Sequence, residues 1–413
     1  MYQKRIFDNG LTVVLEAIPH VRSVSIGFWV KAGSIYEEGK MNGASHFIEH
    51  LLFKGTGKRD AQEIAATLDR VGGQLNAFSS KEYTCFYAKV IDQHTDLAIE
   101  LLTDLLRNSV FNEKEIKREK KVVLEEIKMY DDTPDELIHE MFSQELWKNS
   151  SWGQPILGSR KNIENMSRED LVSFYQKFYT PDNIIVSVAG NIDPDSIMSA
   201  VEESFHDLKG SVEHPEITEP VTKSGILVKT KDIEQVHMCL GIPGLKKLDD
   251  DKYALTVLSI AMGGGMSSRL FQEIREKRGL VYTIYSYQTD YRDAGFFTVY
   301  AGFSKKNLKT LLKLVIDEFE NVKARGFTED ELLRAREQLK GSLILGLEST
   351  SNRMSRMARL EIYLKNNQSI DDLIKQIDSI GNDDIIRVMD RLYDREKLLL
   401  TAIGPVERKD ISF

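Results

Sequence analysis

The chain is organised around one segment, Gly43-Ala-Ser-His-Phe-Ile-Glu-His-Leu-Leu-Phe-Lys-Gly55. In a helical conformation, His46 and His50 lie four residues apart and project from the same face, with Glu49 beside them. Most other residues of the segment are apolar, as expected for a helix that is largely buried in a core. A buried charge needs a partner, and a metal ion can serve two imidazoles and a carboxylate at once. The segment therefore predicts a buried site made by two histidines and a glutamate.

The spacing of these residues matches a metal-binding pattern. His-x-x-Glu-His is the inverted zincin motif, in which both histidines ligate zinc and the glutamate acts as general base. The alternative is a pair of core histidines that hydrogen bonds satisfy. Only 8 of the 413 residues are histidine, so a chance match to the whole pattern is rare. We therefore favour a zinc site, at one Zn²⁺ per chain, with His46 and His50 as ligands and Glu49 as base.

Composition excludes several classes of protein. A chain of 413 residues predicts two or three domains, and 41% hydrophobic with 29% charged residues is typical of a globular protein. The net charge of −9 argues against nucleic-acid binding. No apolar run has the length of a membrane span, and the first residues lack a signal-peptide pattern, so we expect a cytoplasmic protein without membrane contact. Cys85 and Cys239 lie in strand-like surroundings and are expected to be reduced core thiols.

Strands and helices are grouped along the first half, which favours an α+β fold over a doubly wound sheet. Besides the helix with the histidines, periodicity predicts strands at 12–18, 23–32, 74–78, 83–91 and 184–189, and helices at 61–71, 95–108, 113–130, 134–148, 168–178 and 195–208.

The second half repeats the plan of the first, with strands predicted at 226–231, 235–241, 281–288 and 296–303 and a helical run from residue 306 onward. Residues 209–224 contain Gly and Pro without an apolar period and are predicted to be a linker. Phe111–Arg118 then corresponds to Phe327–Arg334. We predict two related domains, 1–208 and 225–413, each a mainly antiparallel sheet with helices packed on one face. The second domain contains no His-x-x-Glu-His, so only the first can hold the metal.

The third ligand should come from the helix predicted at 113–130, because two histidines leave a zinc site open. Glu119 and Glu126 lie on or beside the buried face of that helix, whereas Glu125 points to solvent among lysines. One of the two buried carboxylates can therefore ligate the metal, and the other can orient a histidine ring. The alternative is that both are rim residues of an amphipathic helix.

The motif, followed by Glu126 at 76 residues after His50, resembles the pitrilysin/insulinase family of zinc peptidases, which includes processing peptidases. The resemblance covers essentially the whole chain. It implies that His46, His50 and Glu126 are zinc ligands and that Glu49 is the general base. It also implies that Glu119 is a carboxylate that contacts a ligand and not the metal.

Two further pairs of residues match the family. Asn76 and Ala77 resemble its edge strand, which would hold the main chain of a substrate. The glycines at 263–265 lack the spacing of a phosphate-binding loop, but Arg275 and Tyr282 resemble a pair in the family's C-terminal domain. That pair would donate hydrogen bonds to the scissile carbonyl, on which charge develops in the transition state.

These features imply a zinc-dependent endopeptidase that cleaves extended peptides. Because one sequence carries both the metal motif and the Arg275–Tyr282 pair, we expect a homodimer in which each chain completes the site of the other. One alternative is a non-catalytic scaffold or partner subunit of a processing-peptidase-like complex, although such forms typically lose parts of the metal motif. Another is a zinc-binding adaptor, although structural zinc sites usually have four protein ligands.

Overall fold

A computed structural model describes residues 2–364 and 368–412. The strands in these ranges are β1 (Tyr2–Ile6), β2 (Thr12–Ala17), β3 (Ser23–Val30), β4 (Gln74–Ser79), β5 (Thr84–Ile91), β6 (Ile184–Gly190), β7 (Gly225–Thr230), β8 (Val236–Pro243), β9 (Val281–Asp290), β10 (Gly295–Phe303) and β11 (Leu399–Gly404).

The helices in the same ranges are α1 (Ala44–Leu52), α2 (Ala61–Asp69), α3 (Thr95–Asn108), α4 (Glu113–Asp132), α5 (Pro134–Leu146), α6 (Arg160–Asn165), α7 (Arg168–Phe178), α8 (Pro194–Phe205), α9 (Lys252–Gly263), α10 (Leu308–Arg325), α11 (Glu329–Gly346), α12 (Thr350–Tyr363), α13 (Ile370–Asp378) and α14 (Asn382–Leu392). Within the described part of the chain, none of these helices combines the length and the apolar character that a membrane span needs.

Two sheets with matching strand orders confirm the predicted α+β fold of two related domains. The first sheet has the order β1-β2-β6-β3-β5-β4, and the second has the order β7-β11-β8-β10-β9. Pairing is antiparallel except between β2 and β6 and between β7 and β11. Each sheet thus has one parallel pair at the corresponding place, and β4 and β9 are corresponding edge strands.

The two faces of the first sheet are covered by helices from different parts of the chain. Side chains alternate between the two faces of a sheet along a strand, so consecutive residues of β3 show what covers each face. Phe28 makes an edge contact with Phe205 of α8, with ring centroids 5.6 Å apart. Next to it, the indole Nε1 of Trp29 lies 3.4 Å from the sulfur of Met354 in α12. Helices therefore lie on both faces of this sheet, and the prediction of one covered face describes only part of it.

The second sheet repeats this arrangement with α5 in the place of α12. Phe142 of α5 makes an edge contact with Phe296 of β10, with ring centroids 5.2 Å apart. A Cβ atom added to Gly241 would lie 2.7 Å from the ring of Phe142 and 2.5 Å from the carbonyl oxygen of Phe297. Glycine in the middle of β8 therefore allows α5 to approach the sheet closely.

The compact units of the structure do not follow the contiguous halves of the sequence. One unit contains residues 1–128, 154–217 and 345–367, and the other contains 129–153, 218–344 and 368–413. The difference arises because α5 packs on the second sheet and α12 on the first. Residues 209–224, the predicted linker, contain no helix or strand.

Most predicted elements occur near their expected positions, and 95–108 and 168–178 match to the residue. The predicted helical run from residue 306 onward is wrong at its end, because it includes β11. All six residues of β11 are buried. The strand lies between β7 and β8, so its apolar run fills an inner position of the sheet rather than one face of a helix.

Candidate metal centre

Apolar contacts hold α1 in the core of its unit. The helix follows Gly43, whose φ of 101° lies in the left-handed region that glycine adopts without strain. Phe47, Ile48 and Leu52 are fully buried. Because this packing removes the helix from water, His46 on its first turn is also buried, with 7% of its surface exposed.

Two histidines of α1 and one glutamate of α4 form a cluster of potential ligands. The Nε2 atoms of His46 and His50 each lie 3.6 Å from Oε2 of Glu126. One donor atom from each of the three residues lies within 4.8 Å of the other two. The two helices thus bring Glu126 to His50 and His46, which lie 76 and 80 positions before it in the sequence.

The distances and the chemistry of these donors fit a zinc ion. Tetrahedral bonds of about 2.0–2.2 Å would separate neighbouring ligand atoms by about 3.3–3.6 Å. Separations of 3.6 Å are too long for hydrogen bonds. Two imidazoles and one carboxylate also leave a fourth position open, as in catalytic zinc sites.

His46 is held in the form that metals bind. Burial lowers the pKa of His46 to about 3, and the charge of His50 acts in the same direction. The imidazole of His46 is therefore neutral near pH 7, as a ligand must be. Its Nδ1 atom is buried and has no hydrogen-bond partner among the described residues.

Glu119 lies behind His50 rather than among the three donors. Its Oε2 atom lies 3.2 Å from Nδ1 of His50, and its Oε1 atom lies 3.0 Å from Nζ of Lys54. An Nδ1–H group that donates to Glu119 leaves Nε2 of His50 free to face Glu126. These contacts give Glu119 and Glu126 different positions relative to His50, which the helical pattern alone does not distinguish.

Glu49 is a half-buried residue whose carboxylate lies next to the donor cluster. Its Oε2 atom is buried and has no hydrogen-bond partner in the described part of the chain. Burial raises the pKa of Glu49, while hydrogen bonding to Ser79 and the charge of His50 oppose this rise. A carboxylate with a raised pKa is better able to accept a proton near neutral pH than a solvated one.

The predicted substrate strand, β4, is an edge strand beside α1. Within residues 2–364 and 368–412 it pairs only with β5. Asn76 is exposed and Ala77 is half-buried. The amide of Ala77 donates to Oδ1 of Asn76 at 2.8 Å. A peptide that adds to this edge can take the place of that side-chain acceptor.

Arg275 and Tyr282 lie together in the other unit. The guanidinium of Arg275 is 5.8 Å from the ring centre of Tyr282 and 4.7 Å from that of Phe271. Tyr282 is 73% exposed. Arg275 lies in a π-helical segment, Phe271–Glu276. Such segments are rare and often occur at functional sites.

Lys54 pairs with Glu119 at the candidate centre, and the sequence-based prediction does not include this contact. Lys54 lies four residues after His50 and two residues beyond the end of α1. The sequence predicts a buried carboxylate that orients a histidine ring. A lysine at this spacing from His50 is a signal that a nearby cation could pair with that carboxylate. The contact with Glu119 joins the end of the helical segment to α4.

Sequence comparisons match two family profiles and several relatives to this chain. A family profile described as Insulinase (Peptidase family M16) matches residues 12–160, and one described as Peptidase M16 inactive domain matches residues 165–339. The chain is 41% identical to the uncharacterized zinc protease YmxG of Bacillus subtilis, over 98% of each protein. It is 39% identical to an uncharacterized zinc protease of Streptomyces coelicolor, over 99% of this chain and 91% of that protein.

Solved structures show the same fold. The crystal structure of a protease from Helicobacter pylori matches with a TM-score of 0.91 and 25% identity, over 98% of this chain and 100% of that chain. The fold and the candidate centre therefore define a two-domain protein of the metallopeptidase type. The chain belongs to the insulinase family, peptidase family M16, and the resemblance drawn from its motif is confirmed.

Proposed function

We propose that this protein is a zinc-dependent endopeptidase. The observation that carries the proposal is the three-donor cluster of His46, His50 and Glu126, beside which the Oε2 atom of Glu49 is buried without a hydrogen-bond partner among the described residues. Its relatives are named as zinc proteases, and these names support the same function. A structural zinc site would need a fourth protein ligand, and the cluster contains three.

His46, His50 and Glu126 would hold one zinc ion per chain, and Glu119 would fix the ring of His50. When bound, zinc supplies Lewis-acid polarisation of a carbonyl group and of a water molecule. Glu49 takes a proton from the attacking water and delivers it to the leaving amine, since a carboxylate can act first as base and then as acid. Its burial favours both roles, because the neutral acid is stabilised where the ion is desolvated.

The substrate would bind as an extended peptide along β4. Main-chain hydrogen bonds to an open sheet edge bind a strand with little dependence on its side chains. Asn76 and Ala77 lie in this edge strand, and the Ala77 amide is a donor that a peptide carbonyl can use. This binding mode is compatible with presequence-like peptides, unfolded segments or degradation fragments as natural substrates.

Arg275 and Tyr282 would assist the same reaction from a second chain. Both side chains can donate hydrogen bonds to an oxyanion as charge develops on it. One sequence contains both half-sites, so a C₂ homodimer would make two equivalent sites, each with Arg275 and Tyr282 contributed by the other protomer. The protein would act in the cytoplasm, where its two buried free cysteines, Cys85 and Cys239, stay reduced.

A digest of a peptide library, analysed by mass spectrometry, tests the proposed function. Zinc content is measured on the same sample, and parallel digests contain a chelator or chelator followed by excess zinc. We expect cleavage that the chelator abolishes and zinc restores. A chain that binds one zinc ion and cleaves no peptide in the library would contradict the peptidase function and would support the scaffold alternative.

A further inference from the structure

Glu37 is a buried carboxylate that accepts hydrogen bonds from residues at the start of α1. It is 1% exposed. Its Oε1 atom accepts a hydrogen bond from the amide of Ser45 at 2.6 Å, and its Oε2 atom accepts one from the amide of Gly43 at 2.7 Å. Oε2 also accepts a bond from the side chain of Asn42 at 3.2 Å. Across the described residues no cationic side chain pairs with Glu37. Hydrogen bonds from main-chain amides and one side-chain amide therefore offset the cost of burying its carboxylate.

The start of α1 cannot be capped in the usual way. Most helices begin with Ser, Thr, Asn or Asp, whose side chain accepts a hydrogen bond from an amide of the first turn. Here that position is Gly43, and a Cβ atom on it would lie 2.8 Å from Cδ1 of Ile163 and 2.9 Å from the carbonyl oxygen of Leu157. Its positive φ of 101° also disfavours other residues. No side chain can therefore cap the helix from position 43.

Glu37 provides the missing acceptors from outside the helix. The first amides of a helix have no partner within it, and Glu37 accepts hydrogen bonds from two of them, Gly43 and Ser45. Its negative charge also lies at the positive end of the helix dipole. A helix of nine residues is too short to be stable by itself, so its first turn depends on such contacts.

The first turn of α1 carries His46, which lacks the support that His50 has. Nδ1 of His50 lies 3.2 Å from Glu119, whereas Nδ1 of His46 is buried without a hydrogen-bond partner among the described residues. Hydrogen bonds to the second ring nitrogen normally orient a ligating histidine. The ring of His46 is therefore placed by packing and by the backbone of its turn.

We propose that Glu37 is a positioning residue of the metal centre. By holding the first turn of α1, it keeps Nε2 of His46 directed at the same point as Nε2 of His50 and Oε2 of Glu126. This inference rests on the proposed zinc peptidase function, but it concerns how the centre binds metal and not the hydrolysis step. Glu37 acts through the turn that carries His46, since its side-chain hydrogen bonds come from Asn42, Gly43 and Ser45.

The test compares metal binding by Glu37→Gln, Glu37→Asp and the control Glu38→Gln. Glu38 is the neighbouring residue of the same loop, and it is exposed. Apparent zinc affinity is measured in the metal-free proteins by competition with a chromophoric chelator. Co²⁺ then serves as a spectroscopic probe, because its visible absorption reports the geometry of its ligands. Hydrogen exchange of peptides that cover residues 43–50 reports whether the first turn has loosened, and circular dichroism checks the fold.

We expect Glu37→Gln to bind zinc about 10- to 100-fold more weakly, as when other supporting groups of metal ligands are removed. Its Co²⁺ spectrum should change, and residues 43–50 should exchange faster. Glu37→Asp keeps the charge but is one methylene shorter, so its affinity should lie between those of Glu37→Gln and the wild type. Glu38→Gln should match the wild type in all three measurements.

Wild-type zinc affinity and Co²⁺ spectrum in a folded Glu37→Gln variant would overturn the inference. If Glu37→Gln does not fold, Glu37→Asp decides, and unchanged zinc affinity in that variant would overturn the inference equally. These results are distinguishable from failure of the proposed function. A wild-type protein that binds zinc but cleaves no peptide contradicts the peptidase function and leaves the role of Glu37 in metal binding standing.

Discussion

The carboxylate of Glu119 joins His50 to Lys54, with Oε2 3.2 Å from Nδ1 of the histidine and Oε1 3.0 Å from Nζ of the lysine. Glu119 has only 6% of its side chain exposed. A buried carboxylate is costly without a partner, and Lys54 supplies one. The lysine thus supports a group that orients a candidate metal ligand from the side opposite the metal.

Replacing Lys54 should weaken metal binding without removing a ligand. In Lys54→Met, Glu119 loses its cationic partner, and the ring of His50 is held less firmly. We expect the apparent zinc affinity to fall about 10-fold or more, measured by chelator competition. Lys54→Arg should retain most of the affinity. The matched control is Lys58→Met, because Lys58 is 66% exposed and 3.8 Å from its partner Glu100. Equal zinc affinity in Lys54→Met and wild type would show that Lys54 has no such role.

Glu49→Gln should separate metal binding from hydrolysis. Glutamine has nearly the same shape but cannot accept the proton of the attacking water, so we expect the rate of peptide cleavage to fall by about 10²–10⁴ with zinc content unchanged. His46→Ala should lose both zinc and activity. Zinc is measured by elemental analysis and cleavage with a quenched fluorescent peptide.

The control for Glu49→Gln is Glu125→Gln, which removes a carboxylate from α4 next to Glu126. Glu125 has 69% of its side chain exposed and pairs with Lys128 on the surface. It should keep full activity. A Glu49→Gln variant that cleaves the peptide at nearly the wild-type rate would exclude Glu49 as the general base.

Mixing two inactive variants tests the proposed homodimer. Glu49→Gln chains and Arg275→Ala chains are combined under conditions that allow subunits to exchange. In the mixed dimer, the intact metal centre of the Arg275→Ala chain would meet the intact Arg275 of the Glu49→Gln chain, so one of two sites should be active. Each variant alone should stay inactive. Exchange that is demonstrated by native mass spectrometry, without any return of activity, would contradict completion of the site by a second chain.

The close approach of α5 to the second sheet predicts a stability effect at Gly241. A methyl group there would lie 2.5 Å from a backbone oxygen and 2.7 Å from the ring of Phe142, so Gly241→Ala should destabilise the protein by about 1–3 kcal/mol. A Cβ atom added to Gly341 in α11 would meet no atom within 4 Å among the described residues, apart from its chain neighbours and the backbone of its own helix. Gly341→Ala should therefore stabilise the helix by about 0.5–1 kcal/mol. Denaturant unfolding measures both, and equal free energies of unfolding for the two variants would contradict the packing described for α5.

Short-range patterns in the sequence predict much of this protein. His46, Glu49 and His50 lie within five residues, so helical geometry alone places them side by side. Alternation and apolar periodicity likewise predict most strands and helices within a few residues of their observed ends. These predictions succeed because each depends on residues that are neighbours along the chain.

Tertiary structure decides what such patterns leave open. Glu119 and Glu126 are two helical turns apart on one side of α4, and only their contacts with α1 distinguish a support for His50 from a partner of both Nε2 atoms. The amphipathic patterns of α5 and α12 likewise do not predict that each helix packs on the sheet formed mainly by the other half of the chain. An amphipathic pattern shows that one face of a helix is buried. Which surface covers that face depends on contacts between residues far apart in the sequence.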